Sequence, residues 1–497
     1  MYKLLLILKY LRRKITPMFA ALAVTLCTAM VIIVISVMGG FLDLMRHSAK
    51  KLTGEATIDA DVLGFTNYEQ MLSEIRLLPE VEAATAVIRS FGLVNLHGRI
   101  FTVEVLGIDS YGLDAVTGYG QTLYWTNQRL ERESLATAHL SDEQRKWVDQ
   151  ERHFYERFDL EHSAMRFDPP PGWIPEGAPP LHGIVLGIEI SPYNARDDQG
   201  RYLIQENASL QSEVSLTLLR LDDTGVPSDP AYERFLIVNE FKSGLYEIDA
   251  HRVYIPFDKM QQLMRMDATP AVDEDFTPTG ELLPARASEI MVKSKPDVSL
   301  EELARSLELF KADFLDRYPG MDPPRVRTWE QRHSTLLNAV QNEKGLITFL
   351  FAVISIVAFV MVTTTFYSIV LEKTRDIGVL RALGASRLGI VHIFISYGLA
   401  IGIVGSTIGL ALAVVIVTNL NEIQEGIYQF TLWWSDGEWA WRMWDPRIYY
   451  FDRIPDRVDF TEVVWIMLGS VASCVVGAFI PAILASRVNP VESLRYE

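Results

Sequence analysis

Two uncharged apolar runs, 345–371 and 388–418, are separated by the sixteen residues EKTRDIGVLRALGASR, and nothing else in the chain limits its fold as strongly. Each run exceeds the roughly 20 apolar residues that cross a bilayer. Two more such runs lie at 18–42 and 463–484, and no Asp, Glu, Lys or Arg falls inside any of the four. A chain with four segments of this kind cannot fold as a soluble globule. Its pattern predicts membrane helices at 17–42, 344–371, 388–418 and 462–485.

Charge predicts their direction. Lys3, Lys9, Arg12, Arg13 and Lys14 crowd the amphipathic segment 1–16, and Lys373, Arg375, Arg381 and Arg387 crowd the connection 372–387. Basic residues beside membrane ends mark the cytoplasm, so 1–16, 372–387 and the tail 486–497 are expected there, and 43–343 and 419–461 outside. The run after residue 17 is too long for a secretory signal, which predicts an uncleaved first helix. Of the net charge of −17, residues 42–344 carry about −19. So acidic a block repels nucleic acid, which excludes that partner. Both cysteines, Cys27 and Cys474, lie in membrane runs, so the outer block has no internal disulfide.

Residues 43–343 read as an α+β domain inserted between the first and second membrane helices. Asn67–Leu78 has helical spacing, and Ala86–Leu96 and Ile100–Ile108 alternate around His97-Gly98. Strands are expected at Glu213–Leu221, Arg234–Phe241, His251–Phe257 and Ser288–Lys293, then a helix capped by Ser299. The expected architecture is a mixed sheet with helices on one face. Residues 111–180 differ: a charged helical segment, Ser141–Phe158, precedes the breaker cluster DPPPGWIPEGAPP, and together they read as an insert. His153, Glu156, Asp159 and His162 have ligand-like spacing, but a lone cluster on a polar helix face is weak support, and no metal is expected. Arg325–Trp329 leads through Leu336, Leu337 and Val340 to Glu343-Lys344. If that stalk runs unbroken into the second membrane helix, it acts as a rigid lever.

Gly398, Gly402, Gly405 and Gly409, and Gly469, Ser473 and Gly477, show the small-xxx-small spacing by which membrane helices pack closely. Residues 419–461 hold five of the ten tryptophans, which predicts an interfacial aromatic belt. Ion-driven carriers need ionisable groups at mid-membrane, and these spans carry no acidic or basic group of that kind. The sequence also lacks a phosphate-cradling G-x-x-x-x-G-K-[ST] loop, a G-x-S-x-G elbow, H-E-x-x-H and C-x-x-C. The chain is therefore expected to be no enzyme, to bind no cofactor, and to draw energy from another subunit.

The wording of 372–387 resembles the loop after the second membrane helix of FtsX-like ABC transporter permeases. Val37-Met38-Gly39-Gly40-Phe41, the run Phe241–Asp249, Arg327-Thr328-Trp329, Glu343-Lys344 and Pro490–Glu497 are similar to segments of the LolC/LolE lipoprotein-releasing permeases, which are related to MacB permeases. The resemblance implies a type VII, mechanotransmission-like permease in the inner membrane with a large periplasmic domain. It also implies two copies of a separate ATPase that binds the ATP, a second permease as homo- or heterodimer, a lipoprotein substrate, and transfer to a periplasmic carrier. Under it, Glu372, Lys373, Arg375, Asp376, Ile377, Val379, Leu380 and Arg381 form the ATPase contact, and Met38, Phe41, Leu42, Ile347, Leu350 and Phe351 line a substrate cavity. A MacB-like efflux permease and a non-transporting, FtsX-like regulator of an outer hydrolase remain the alternatives. The 111–180 insert and the Trp-rich loop have no counterpart in the resemblance.

Overall fold

The computed structural model describes residues 15–60, 63–126, 159–192, 194, 196, 202, 209–221, 226–272, 278–319, 321–435, 441, 444, 454 and 457–487. They form two compact units: a helical unit with the long apolar helices, and a mixed unit spanning Met45–Thr335.

Nine strands organise the mixed unit: β1 Ala56–Asp59, β2 Val81–Leu96, β3 Arg99–Ile108, β4 His182–Gly187, β5 Glu213–Leu218, β6 Ala231–Phe241, β7 Arg252–Pro256, β8 Glu289–Ser294 and β9 Arg325–Thr328. The expected mixed sheet closes on itself. The ring runs β2–β3–β4 by way of β7, then β6 and β5, and β5 pairs back onto β2 through Gly92↔Leu218 to Asn95↔Ser215. Gly92 permits the closure, because a Cβ there would lie 2.5 Å from the Thr217 carbonyl oxygen. Closure also removes the free edges that an open sheet would expose. The length of β2 lets it serve twice, since its first half pairs with β8 and so joins the barrel to an open arm ordered β9–β1–β8–β2. The predicted hairpin turns at His97 (φ 51°) and Gly98 (φ 84°), the two positive φ values of a two-residue hairpin.

Ile88, Val94, Leu186, Phe235, Ile237 and Val253 fill the barrel. The helix Leu300–Arg317, capped as expected by Ser299, buries Leu303, Leu307 and Phe314 against Ile58, Ile290 and Val292 of the arm. Tyr124, Trp125, Leu160 and Trp173 also belong to the barrel core, so both ends of the expected 111–180 insert are part of the domain. Trp125 is locked there by donating from Nε1 to Glu240 at 2.8 Å and from its backbone N–H to Asn239 Oδ1 at 3.1 Å. Ser141–Phe158, with His153 and Glu156, lies outside the described residues. Asp159 is a helix cap whose carboxylate accepts from the His162 N–H.

A chain of ion pairs crosses the junction of barrel and arm. Arg89 on β2 binds Glu104 and, at 2.9 Å, Glu289; Glu104 also accepts from Arg252 at 2.7 Å, and Glu289 from Arg332 at 2.8 Å. Burial favours the neutral form of Glu104, but the Arg252 and Arg89 guanidiniums outweigh it and hold the carboxyl at about 2. The run Phe241–Asp249 is held likewise: the fully buried Asp249 accepts from the N–H groups of Ser243 (2.8 and 2.9 Å) and Gly244 (3.2 Å), and Gly244 has φ 91°.

In the helical unit, four helices among the described residues are long and apolar enough to cross a membrane: Met18–Leu44, Leu337–Glu372, Arg387–Thr418 and Phe460–Ser486. The first and second are parts of longer helices, Ile15–Thr53 and Ser334–Glu372. Ser386 caps the third by accepting from the Gly389 N–H, and Asp459 caps the fourth. A further helix, Leu420–Trp434, follows the third and was not anticipated from the sequence.

Candidate functional site

The connection between the second and third membrane helices folds as a nine-residue helix, Thr374–Ala382. Gly384, at φ 93°, ends it, with the N–H groups of Gly384 and Ala385 returning to the carbonyls of Arg381 and Leu380. Isolated helices of this length are marginal in water, so packing must hold it. Ile377 supplies that packing: it is 4% exposed, in one cluster with Val370, Ile390, Ala482 and Ala485. Arg381 donates from Nη1 to the Ser486 carbonyl at 2.8 Å, satisfying one of the orphan acceptors where the fourth helix ends. Lys373 pairs with Asp376 at 2.8 Å. Two residues expected at a partner contact, Ile377 and Arg381, are thus engaged within the chain. The open face is Glu372, Arg375, Asp376 and Val379, continued by the 80%-exposed Leu383, with Leu380 half-buried beside it.

Inside the helical unit lies a cavity of about 330 Å³ with mainly apolar walls. The first helix gives it Val24, Cys27, Thr28, Val31 and Ile35, the second Thr348, Ala352, Ser355 and Val362, and the fourth Ile466, Gly469, Ser470, Ser473 and Cys474. None of Met38, Phe41, Leu42, Ile347, Leu350 and Phe351 is among these residues. Phe41 instead meets Trp444, with ring centroids 5.7 Å apart; Met38, Leu42 and Ile347 are half-buried, and Leu350 is exposed. The side chain of Phe351 lies outside the described set. The cavity begins within a turn of these residues, at Ile35 and Thr348, and runs on to Val24 and Val362, lined by other faces of the two helices, and the fourth helix completes it. Its sequence signal is the set of small and hydroxyl residues interrupting apolar runs, among them Thr28, Ser355, Ser470 and Ser473.

The glycines separate packing from lining. A Cβ on Gly398 would lie 2.7 Å from Ala478 Cβ, and one on Gly402 3.1 Å from Cys474 Cβ, which seats the third helix on the fourth. On Gly405 it would meet Val24 at 3.0 Å, and on Gly409 the Thr25 carbonyl oxygen at 2.7 Å, which seats the same helix on the first. The Thr25 hydroxyl adds a 3.1 Å hydrogen bond to the Gly405 carbonyl. Gly477 approaches Thr363 of the second helix. Gly469, expected to pack as well, has nothing within 4 Å of a Cβ position; like Ser473, it lines the cavity.

Four long apolar helices, a short helix between the second and third, and an α+β domain between the first and second define a multi-pass membrane protein. Residues 348–490 match the FtsX-like permease C-terminal family, whose members are permeases and not enzymes. Curated relatives include the lipoprotein-releasing system transmembrane protein LolC of Xylella fastidiosa, 26% identical over 287 residues, which are 57% of this chain and 60% of that one. LolE of Haemophilus influenzae is 25% identical over 221 residues, 43% of this chain and 50% of that one. The chain therefore spans between half and about three fifths of the length of these two relatives. The periplasmic region of MacB from Actinobacillus actinomycetemcomitans aligns with 57% of this chain and 93% of its own, at 10% identity and a TM-score of 0.28.

Proposed function

We propose that the chain is the permease subunit of an ABC transporter in the inner membrane, driven by ATP bound to a separate ATPase subunit. Two ATPase copies and a second permease of the same type complete the assembly, and the cargo is a lipoprotein passed to a periplasmic carrier. The observation that carries this reading is the helix Thr374–Ala382, which is anchored by Ile377 and Arg381 while Val379 and Leu383 stay open beside Arg375 and Asp376. An exposed apolar pair on a charged helix between two membrane spans is what a docking subunit would cover. The cavity supports the cargo assignment. At about 330 Å³ it is near the lower end of ligand pockets, which are roughly 300–1,000 Å³, and it suits one acyl chain rather than a folded protein. The names of LolC and LolE supply the lipoprotein.

The test reconstitutes the complex with its ATPase in lipid. Leu383→Asp, which places a charge on the open face, is expected to abolish substrate-stimulated ATP hydrolysis while leaving membrane insertion intact. A photo-crosslinker at Ile35 or Ala352 is expected to capture a lipoprotein before ATP is added and to lose it afterwards, and one at Val415 to capture none. Unchanged stimulation in Leu383→Asp, or equal capture at all three positions, refutes the reading.

A further inference from the structure

The helix Leu420–Trp434 begins two residues after the third membrane helix ends, at the end of the helical unit opposite the Thr374–Ala382 connection. None of its residues is buried. Leu420, Ile423, Ile427, Phe430 and Trp434 recur at helical spacing and make one apolar stripe. Ile423 is 40%, Phe430 58% and Trp434 75% exposed, with Trp433 beside them at 74%. One flank of the stripe is pinned to the returning chain. Asn421 exchanges hydrogen bonds with the backbone of Ile454, Gln424 donates to the Trp444 carbonyl, and Thr431 accepts from the Trp441 N–H. The other flank carries Glu422, Glu425 and Gln429. The polar groups are thus committed to protein or water, and the helix keeps its apolar side outward.

We propose that this helix lies flat in the membrane interface, its Ile423–Ile427–Phe430–Trp434 face sunk to the acyl-chain boundary. Three observations favour lipid over a protein partner. The helix starts two residues beyond a membrane span, so its first turn lies at the bilayer surface. The fourth helix begins at the same end and exposes Phe460 (80%) and Trp465 (70%) there, so exposed aromatic rings already mark this end of the unit, as they do at a membrane interface. Finally, exposed tryptophans on a helix edge match the headgroup zone, where an indole buries its ring and keeps its N–H wet. Interfacial helices commonly add Lys and Arg that attract anionic lipid, but Leu420–Trp434 has none and carries two carboxylates. Its binding therefore rests on apolar area, and it tolerates a membrane of zwitterionic lipid.

The test uses the full chain in phosphatidylcholine nanodiscs, with Cys27→Ala and Cys474→Ala and a nitroxide attached at Phe430→Cys or at Glu425→Cys. The ratio of collision rates with oxygen, which partitions into lipid, to those with a water-soluble nickel chelate is expected to be severalfold higher at 430 than at 425. Adding phosphatidylglycerol should leave it unchanged. Equal nickel access at both positions would place the stripe in water and overturn the proposal. An immobilised label at 430 shielded from both reagents would overturn it in favour of a protein cover. As a label-free check, Trp433→Phe with Trp434→Phe should lower the fraction of tryptophan emission quenched by brominated phosphatidylcholine; unchanged quenching counts against lipid contact.

Discussion

Glu104→Gln isolates the electrostatic part of the junction between barrel and arm, because it removes a charge while keeping the side chain's shape. Burial raises the Glu104 carboxyl and the Arg252 and Arg89 guanidiniums lower it further, from 4.5 to about 2. At about 1.4 kcal/mol per pH unit, the ionised form contributes about 3 kcal/mol of stability at pH 7. Because the folded value lies below the unfolded one, that contribution is complete above about 4.5 and is lost as pH falls through about 2. In the variant Arg252 and Arg89 also face each other without the carboxylate between them. Hydrogen exchange of the full chain in nanodiscs reads this locally: peptides covering β2 and β3 should exchange about a hundredfold faster in Glu104→Gln at pH 7. After correction for intrinsic rates, the gap between wild type and variant should shrink steadily from pH 4.5 towards pH 2. A loss of protection under about fivefold at pH 7, or a gap independent of pH, would mean that the ion chain contributes no net stability, as some buried pairs do not.

Gly409→Ala would press a methyl against the Thr25 carbonyl and should cost about 1–3 kcal/mol, whereas Gly469→Ala fills open space and should cost nothing; thermal melts in detergent compare the two. Arg381→Met removes a charged donor from the Ser486 carbonyl and should cost about 1.5 kcal/mol, read as faster proteolysis after residue 486. Asp249→Ala orphans the buried Ser243 N–H and the half-buried Gly244 N–H, and should destabilise the mixed unit by about 2 kcal/mol, seen as lost exchange protection over 241–250.

What the sequence made legible was local. The membrane runs, the Ser299 cap, the His97-Gly98 turn and the glycine stripe each state their physics within a few residues, and Gly398 to Gly409 lie where an added Cβ would meet the first or fourth helix. Barrel closure was not legible, because it depends on β2 meeting β5 across more than a hundred residues, and its one local sign, Gly92, reads as an ordinary strand glycine. How the ends of 111–180 pack was not legible for a related reason: breaker residues such as Pro169–Pro171 mark turns, while Trp125 and Trp173, whose burial ties that segment down, carry no mark of their partner. In the connection, the sequence offered a set of contact residues but could not say which side packs inward. Ile377 faces the bundle and Leu383 faces out, a distinction that needs the neighbouring helices in place.

The helical unit is unevenly packed, and the unevenness bears on how the proposed transport would run. Among the described residues, more of the third and first helices is buried than of the second. Glycines seat the third helix on both the first and the fourth, so closely that an added methyl would clash, and displacing it means breaking several such contacts at once. The second helix meets the fourth at Gly477 and lends Thr348, Ala352, Ser355 and Val362 to the cavity wall. It is also the helix that leads directly into Thr374–Ala382. A subunit pushing on Val379 and Leu383 would therefore spend its work on the least restrained wall of the cavity, and a shift of that wall alone changes the volume open to an acyl chain. Tying the second helix to the first across the cavity, with Thr28→Cys and Ala352→Cys joined by a short bifunctional reagent, should halt cargo release while ATP hydrolysis continues. Release at the normal rate with the tie in place would assign the moving wall to the third and fourth helices, against their packing.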